Sequence, residues 1–282
     1  MGRFKTLLEL VRFEHTIFAL PFAFSGMILA QGGWPPWGKV FWILLAMVGA
    51  RTAAMGLNRI IDAKIDARNP RTRNWSIPSG RVSVAQAWLI VVISCALLIL
   101  SAGMLNRLAL ELAPVAIVLL FIYPYTKRIG WWSHFFLGLC QSMAPVGAWI
   151  GIRGTLDPEI LVLGAAVVFW LAGFDTLYAI QDMEFDRKEG LHSIPQKWGI
   201  KASLMLSKSF HAVMFLLLAL LPLVFRLKTW FIIGLIVMAG LLIYEHSLVK
   251  ENDLSRLNIA FFNMNGWISV TFFAFVFIEV VL

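Results

Sequence analysis

Long apolar runs separated by short polar breaks organise this chain. Stretches long enough to cross a bilayer, roughly 20 residues each, fall at 14–31, 39–61, 84–104, 108–126, 132–151, 157–182, 203–225, 229–249 and 258–281. The breaks are chemical. GGWPPWG (32–38) is a turn, and NPRTRNWSIPSGR (69–81) and DRKEGLHSIPQKWG (186–199) are polar loops rich in helix-ending residues. No loop is long enough to form a separate domain. The pattern therefore predicts an all-α polytopic membrane protein, with residues 1–282 forming a single domain of nine transmembrane helices. Arg3 and Lys5 ahead of an apolar run suggest a signal peptide. Arg12, Glu14, His15 and Pro21 interrupt that reading and no A-x-A site follows, so the segment is read as the first membrane helix.

Composition supports the pattern. The chain is 60% hydrophobic and 14% charged, with mean hydropathy +0.79, more apolar than soluble domains usually are. The net charge of +8 is read first as topology, then as attraction for anionic lipids or phosphates; no nucleic-acid partner is expected. Most lysines and arginines lie in the N-terminal segment and in the loops after the even-numbered spans. The opposite loops hold only Lys39, Arg107, Arg153, Arg226 and Lys228. The positive-inside rule then puts the N-terminus in the cytoplasm and Leu282 outside, in the cell's inner (cytoplasmic) membrane. Cys95 and Cys140 lie in apolar runs without metal spacing and are read as small buried side chains.

Candidate chemistry gathers at three span ends. Asn58, Asp62 and Asp66, and then Asp182 and Asp186, recur every fourth residue, which stacks them on one helical face. Stacked carboxylates repel, so divalent cations are expected between them, and such cations usually hold a phosphate. The expected topology brings the ends of the second, fourth and sixth spans to the cytoplasmic surface, adding Tyr123, Lys127 and Arg128. An unpaired Asp at mid-bilayer costs about 3 kcal/mol; a boundary position and a metal both reduce that cost. Arg51 and Asp175 precede their motifs by seven residues, or about 10 Å of helix. Either they pair with each other, or Arg51 faces an inward-opening cavity and binds an anion.

Together these residues resemble a known family. N-x-x-x-D-x-x-x-D at 58–66, followed by RT (71–72) and IPSG (77–80), resembles the first signature of the UbiA superfamily of intramembrane aromatic prenyltransferases. FDTLYAIQDMEFD (174–186) looks like its second signature, and IYPYTKR (122–128) is similar to its Tyr-Pro-x-x-Lys-Arg stretch. FEHTIFALPFAF (13–24) looks like the 4-hydroxybenzoate polyprenyltransferase-like branch. The resemblance covers the whole chain. It implies a nine-helix bundle around a central cavity, capped on the cytoplasmic side by loops 62–83 and 183–202. It further implies one Mg²⁺ on Asn58, Asp62 and Asp66, another on Asp182 and Asp186, and a polyprenyl diphosphate bridging the two ions. Arg51 falls where relatives that use a hydroxybenzoate contact the acceptor carboxylate. One departure stands out. The family commonly reads N-R-P-L before P-S-G, whereas this chain has Asn74-Trp75-Ser76-Ile77, leaving Arg71 or Arg73 to replace the missing arginine.

The implied chemistry is alkylation of an aromatic carboxylic acid for ubiquinone or menaquinone synthesis, with the active site facing the cytoplasm. Lys127, Arg128 and Arg71 would help neutralise the diphosphate, and Asp182 or Asp175 would take the ring proton. Tyr123 and Tyr178 either hydrogen-bond the diphosphate or acceptor, or are interfacial aromatics. His15 with Glu14 either touches the acceptor or sits at the interface. His134, His192, His211 and His246 share no metal spacing with any acid and receive no role. The acceptor could instead be 1,4-dihydroxy-6-naphthoate or a non-acidic molecule. A different class, a cation-coupled transporter, is disfavoured because the charged groups gather on one side only.

Overall fold

The structure is a computed structural model describing residues 16–282. Glu14, His15 and the basic residues before them lie outside the described residues. Among the described residues the regular elements are helical, apart from one β-bridge between Lys250 and Asp253. Eight helices are long and apolar enough to cross a membrane, and a shorter apolar helix, Phe18–Gln31, precedes them. Eight of the nine expected spans thus correspond to helices of full length among the described residues, and the first is described only from Thr16 onward.

The helices are α1 (Thr16–Gln31), α2 (Trp37–Ile61), α3 (Ala63–Asp66), α4 (Val84–Leu105), α5 (Arg107–Thr126), α6 (Ser133–Arg153) and α7 (Pro158–Ala179). A 3₁₀ turn (Ile180–Asp182) leads into α8 (Met183–Glu189); α9 (Ile194–Phe225), α10 (Thr229–Ser247), a π-turn (Ile259–Met264) and α11 (Asn265–Val281) follow. Contacts divide the described residues into two compact units, one centred on Pro36–Tyr125, the other of Ile17–Pro35 and Thr126–Leu282.

In the first unit α2 lies against α4 at close range. A Cβ on Gly49 would stand 2.8 Å from the Ser94 carbonyl oxygen and 2.9 Å from the Leu98 nitrogen, so a small residue is required where the backbones meet. Ser83 starts α4 with a capping box that Gln86 completes. Just before it, Ile77 and Val82 are buried with Ala87 against Ile60, Ala63 and Ile90. That apolar cluster pins the 67–81 loop to the end of α2.

In the second unit α7 is the most enclosed span, packed against α6 and α9. Gly138 permits the α6 approach, since a Cβ there would lie 2.6 Å from the Val168 carbonyl. Trp170 is fully buried and donates its indole N–H to Asn265 Oδ1 at 2.7 Å. Asn265 Nδ2 in turn donates to Glu245 Oε1 at 2.9 Å, so one amide joins α7, α10 and α11. His211 sits beside the same network, 3.0 Å from His246 and 3.1 Å from the Trp170 carbonyl.

Candidate active site

The first acidic cluster is built on a helix break. α2 stops at Ile61, and Asp62 takes φ −94°, ψ 1° before α3 resumes. The sequence suggests an uninterrupted helical stack; the structure bends it at its middle carboxylate. Register survives because Asp62 N–H still donates to Asn58 O (3.0 Å) and Asp66 N–H to Asp62 O (2.8 Å). Asn58, Asp62 and Asp66 therefore keep one face, with a long 3.5 Å contact from Asn58 Nδ2 to Asp62 Oδ2.

Both carboxylates of this cluster are buried, Asp62 at 1% and Asp66 at 7% exposure. Arg59, also buried, places Nη1 4.0 Å from Asp66 Oδ2 and lays its guanidinium 3.4 Å over the Trp75 ring. Arg71 lies 5.4 Å over the same ring. The residue standing where the family commonly has arginine is thus an aromatic plate for two arginines. The loop beyond is locally bonded: Thr72 Oγ1 donates to Asp66 O at 3.0 Å, and Asn69 Oδ1 accepts from Arg71 N–H at 2.9 Å. Arg51 is half-buried on α2, two turns before Asn58, and Tyr123 is half-buried near the end of α5.

The second cluster repeats the device. Asp182 takes φ −102°, ψ 1° between the 3₁₀ turn and α8, nearly the conformation of Asp62. Both lie in the sparsely populated bridge region, where many active-site residues sit. Asp182 and Asp186 are half-buried. Ser193 Oγ donates to Asp186 Oδ2 at 2.8 Å, and Leu191 N–H donates to the Asp186 carbonyl at 2.9 Å. His192 N–H donates to the Lys127 carbonyl at 2.7 Å, which ties the Tyr-Pro-x-x-Lys-Arg stretch to this loop. Burial pushes the Asp186 carboxyl up to about 6, against the Ser193 hydrogen bond that lowers it; the Asp182 charge adds to the rise and the Lys127 charge opposes it. Arg128 is exposed. The Tyr178 ring stacks on Phe261 at 4.0 Å, at the edge of a packed aromatic core that includes Phe174 and Trp170.

Asp175, for which the sequence left pairing with Arg51 open, bonds to a residue that spacing had passed over. Its Oδ2 lies 2.7 Å from His134 Nδ1. Forty-one positions separate the two in sequence, and the histidines were read for metal spacing alone. Arg59, Trp75 and Ser193 were likewise missed as parts of the two clusters. For Arg59 the signal was present, since an arginine inside a motif that ends in two buried aspartates needs a partner.

Residues 19–268 match the UbiA prenyltransferase family. The chain belongs to this family. By that membership it is a prenyltransferase, an all-helical membrane enzyme. It is 32% identical over 273 residues to the 4-hydroxybenzoate octaprenyltransferase of Coxiella burnetii (strain CbuK_Q154), covering 95% of this chain and 93% of that relative. It is 29% identical over 275 residues to the enzyme of the same name from Aliivibrio salmonicida (strain LFI1238), covering 94% of each. Among solved structures, the apo UbiA homolog from Aeropyrum pernix K1 aligns with a TM-score of 0.85 at 32% identity, over 95% of this chain and 98% of that one. The Archaeoglobus fulgidus UbiA homolog bound to GPP and Mg²⁺ shares the fold, with a TM-score of 0.68 at 21% identity over 98% and 99% of the two chains.

The donor sets suit Mg²⁺. No group of three or more His, Cys, Asp or Glu side chains among the described residues is arranged as a complete metal cage. Mg²⁺ does not ask for one, because it keeps waters and takes one or two carboxylates plus substrate phosphate oxygens. Each cluster offers two aspartates and no soft ligand.

Proposed function

We propose that this UbiA-family prenyltransferase moves a polyprenyl group from a polyprenyl diphosphate to the ring of a hydroxylated aromatic carboxylic acid of the 4-hydroxybenzoate type. The reaction serves respiratory quinone synthesis at the cytoplasmic face of the inner membrane. The observation that carries the reading is the matched break. Two membrane helices each end in an aspartate at φ near −100° and ψ near 0°, followed one turn later by a second carboxylate. The names of the curated relatives at about 30% identity support the choice of acceptor.

In this reading Asn58, Asp62 and Asp66 would hold one Mg²⁺ and Asp182 and Asp186 would hold another, as the family resemblance implies, for binding the diphosphate of the prenyl donor. Bound Mg²⁺ supplies charge neutralisation for the departing diphosphate. Lys127, Arg128 and Arg71 add positive charge around the same oxygens, and Tyr123 and Tyr178 offer hydroxyls to the diphosphate or acceptor. Arg51 takes the acceptor carboxylate, a planar anion that a guanidinium pairs with bidentately.

The allylic C–O bond breaks with its electron pair leaving on the diphosphate. The ring carbon ortho to the hydroxyl then bonds to the allylic carbon. The hydrogen on that ring carbon leaves as a proton, and its bonding pair restores the aromatic sextet. Asp182 and Asp175 are the candidate acceptors. Asp182 is committed to metal in this scheme, so Asp175 takes the proton. The apolar interior of the bundle keeps water from the cation.

The test is direct. Protein reconstituted in bilayers is incubated with labelled polyprenyl diphosphate, Mg²⁺ and a mixture of phenolic acids. A prenylated 4-hydroxybenzoate formed only with Mg²⁺ is expected. Label appearing on a dihydroxynaphthoate or a neutral acceptor instead would overturn the acceptor assignment, and no transfer at all would overturn the reading.

A further inference from the structure

One buried imidazole joins α6, α7 and the start of α9. His134 is 3% exposed. Its Nε2 accepts the backbone N–H of Ile194 at 3.2 Å, and its Nδ1 lies 2.7 Å from Asp175 Oδ2. The first bond assigns the tautomer. A nitrogen that accepts an N–H carries no proton, so the ring proton sits on Nδ1 and is donated to the carboxylate. Ile194 is the first residue of α9, and its N–H is one of the donors that a helix start leaves without an internal partner. Ser193, just before it, caps α9 by accepting from Gln196 N–H and donates its own hydroxyl to Asp186.

We propose that His134 is a positioning residue of the transfer reaction: Nδ1–H orients Asp175 as the ring-proton acceptor, while Nε2 anchors the segment that holds Asp186. The inference rests on the functional reading above, which places a proton acceptor and a metal-binding carboxylate at these two ends. A neutral donor suits the task. It aligns the carboxylate without cancelling its charge, as an arginine or lysine would. Asp175 keeps its second oxygen for the proton, and its side chain is 23% exposed, enough to be reached.

The two bonds can be cut separately. In His134→Asn the amide nitrogen replaces Nδ1, keeping the donor to Asp175 and losing the acceptor for Ile194. In His134→Gln the amide reaches the Nε2 position, keeping the acceptor and losing the donor. His134→Asn is expected to speed backbone hydrogen exchange in the 190–196 segment and to raise the Mg²⁺ concentration for half-maximal rate severalfold, with a smaller fall in kcat at saturating Mg²⁺ than His134→Gln. His134→Gln is expected to keep wild-type exchange and Mg²⁺ response, but to lower kcat by about 100-fold, the scale of a lost general base. It should also reveal a primary isotope effect with ring-deuterated acceptor. Equal losses in both variants, with equal falls in thermal stability, would show an ordinary core histidine and overturn the inference. A failed functional reading shows separately, as wild-type protein that transfers nothing. The Asp175 role then falls with it, and the exchange contrast alone decides the anchoring role.

Discussion

Replacing Trp75 isolates the arginine plate at the first acidic cluster. The Arg59 guanidinium lies 3.4 Å over the indole and is 4% exposed, so this stack is almost dry. A desolvated cation–π contact is worth about 2 kcal/mol, and a more exposed one, such as Arg71 at 5.4 Å, about 0.5 kcal/mol. Trp75→Leu keeps apolar bulk and removes the ring face. If about 1–2 kcal/mol of that stacking holds Arg59 and Arg71 in place for the diphosphate, KM for the donor rises roughly 5- to 30-fold, at 1.4 kcal/mol per factor of ten. Trp75→Phe, with a smaller ring, should stay within about threefold of wild type. Trp75→Arg, although closer to the common family pattern, sets a third cation beside Arg59 and Arg71 and should be worse than Trp75→Phe. The assay is initial rate against donor concentration at saturating Mg²⁺ and acceptor in reconstituted bilayers. Equal KM values for the Leu and Phe variants, or improved turnover in Trp75→Arg, would refute the reasoning.

Other outcomes follow from the same geometry. Arg51→Ala should raise KM for the acidic acceptor at least tenfold while sparing KM for the prenyl diphosphate; an equal effect on both would count against the acceptor role, the expected loss being about 1.5–3 kcal/mol for a charged hydrogen bond. Asp62→Asn and Asp182→Asn should each cut kcat by about 100-fold or more. The double variant should fall little further if the two aspartates serve one diphosphate, which a double-mutant cycle on rates would read. Asn265→Leu strips the acceptor from the buried Trp170 N–H and the donor from Glu245. It should lower stability by about 1–3 kcal/mol, measured by thermal unfolding in detergent, with the rate per folded molecule unchanged.

Much was legible along the chain because a bilayer imposes simple rules. Apolar runs of sufficient length marked every described span, and the family motifs fell at span ends as read. Boundaries drifted where polar chemistry competes with the helix. The sixth span ends at Ala179 and passes through a 3₁₀ turn, because Asp182 leaves helical geometry there. The helix of the seventh span, α9, begins at Ile194, well before its apolar run, and bends at Gly199, whose φ of 77° suits glycine.

The amino-acid order alone determined that this chain crosses a membrane with helices, that carboxylates recur one turn apart at two span ends, and that arginines and a lysine lie near them in sequence. Those are local properties, set by transfer free energy and by the 3.6-residue period. Only the folded chain decided that both leading aspartates sit on helix breaks and that Trp75 carries Arg59. The same holds for His134 as an observed partner of Asp175. Hydrogen bonds and ring stacks between residues far apart in sequence act over about 3–5 Å, and no periodicity announces them.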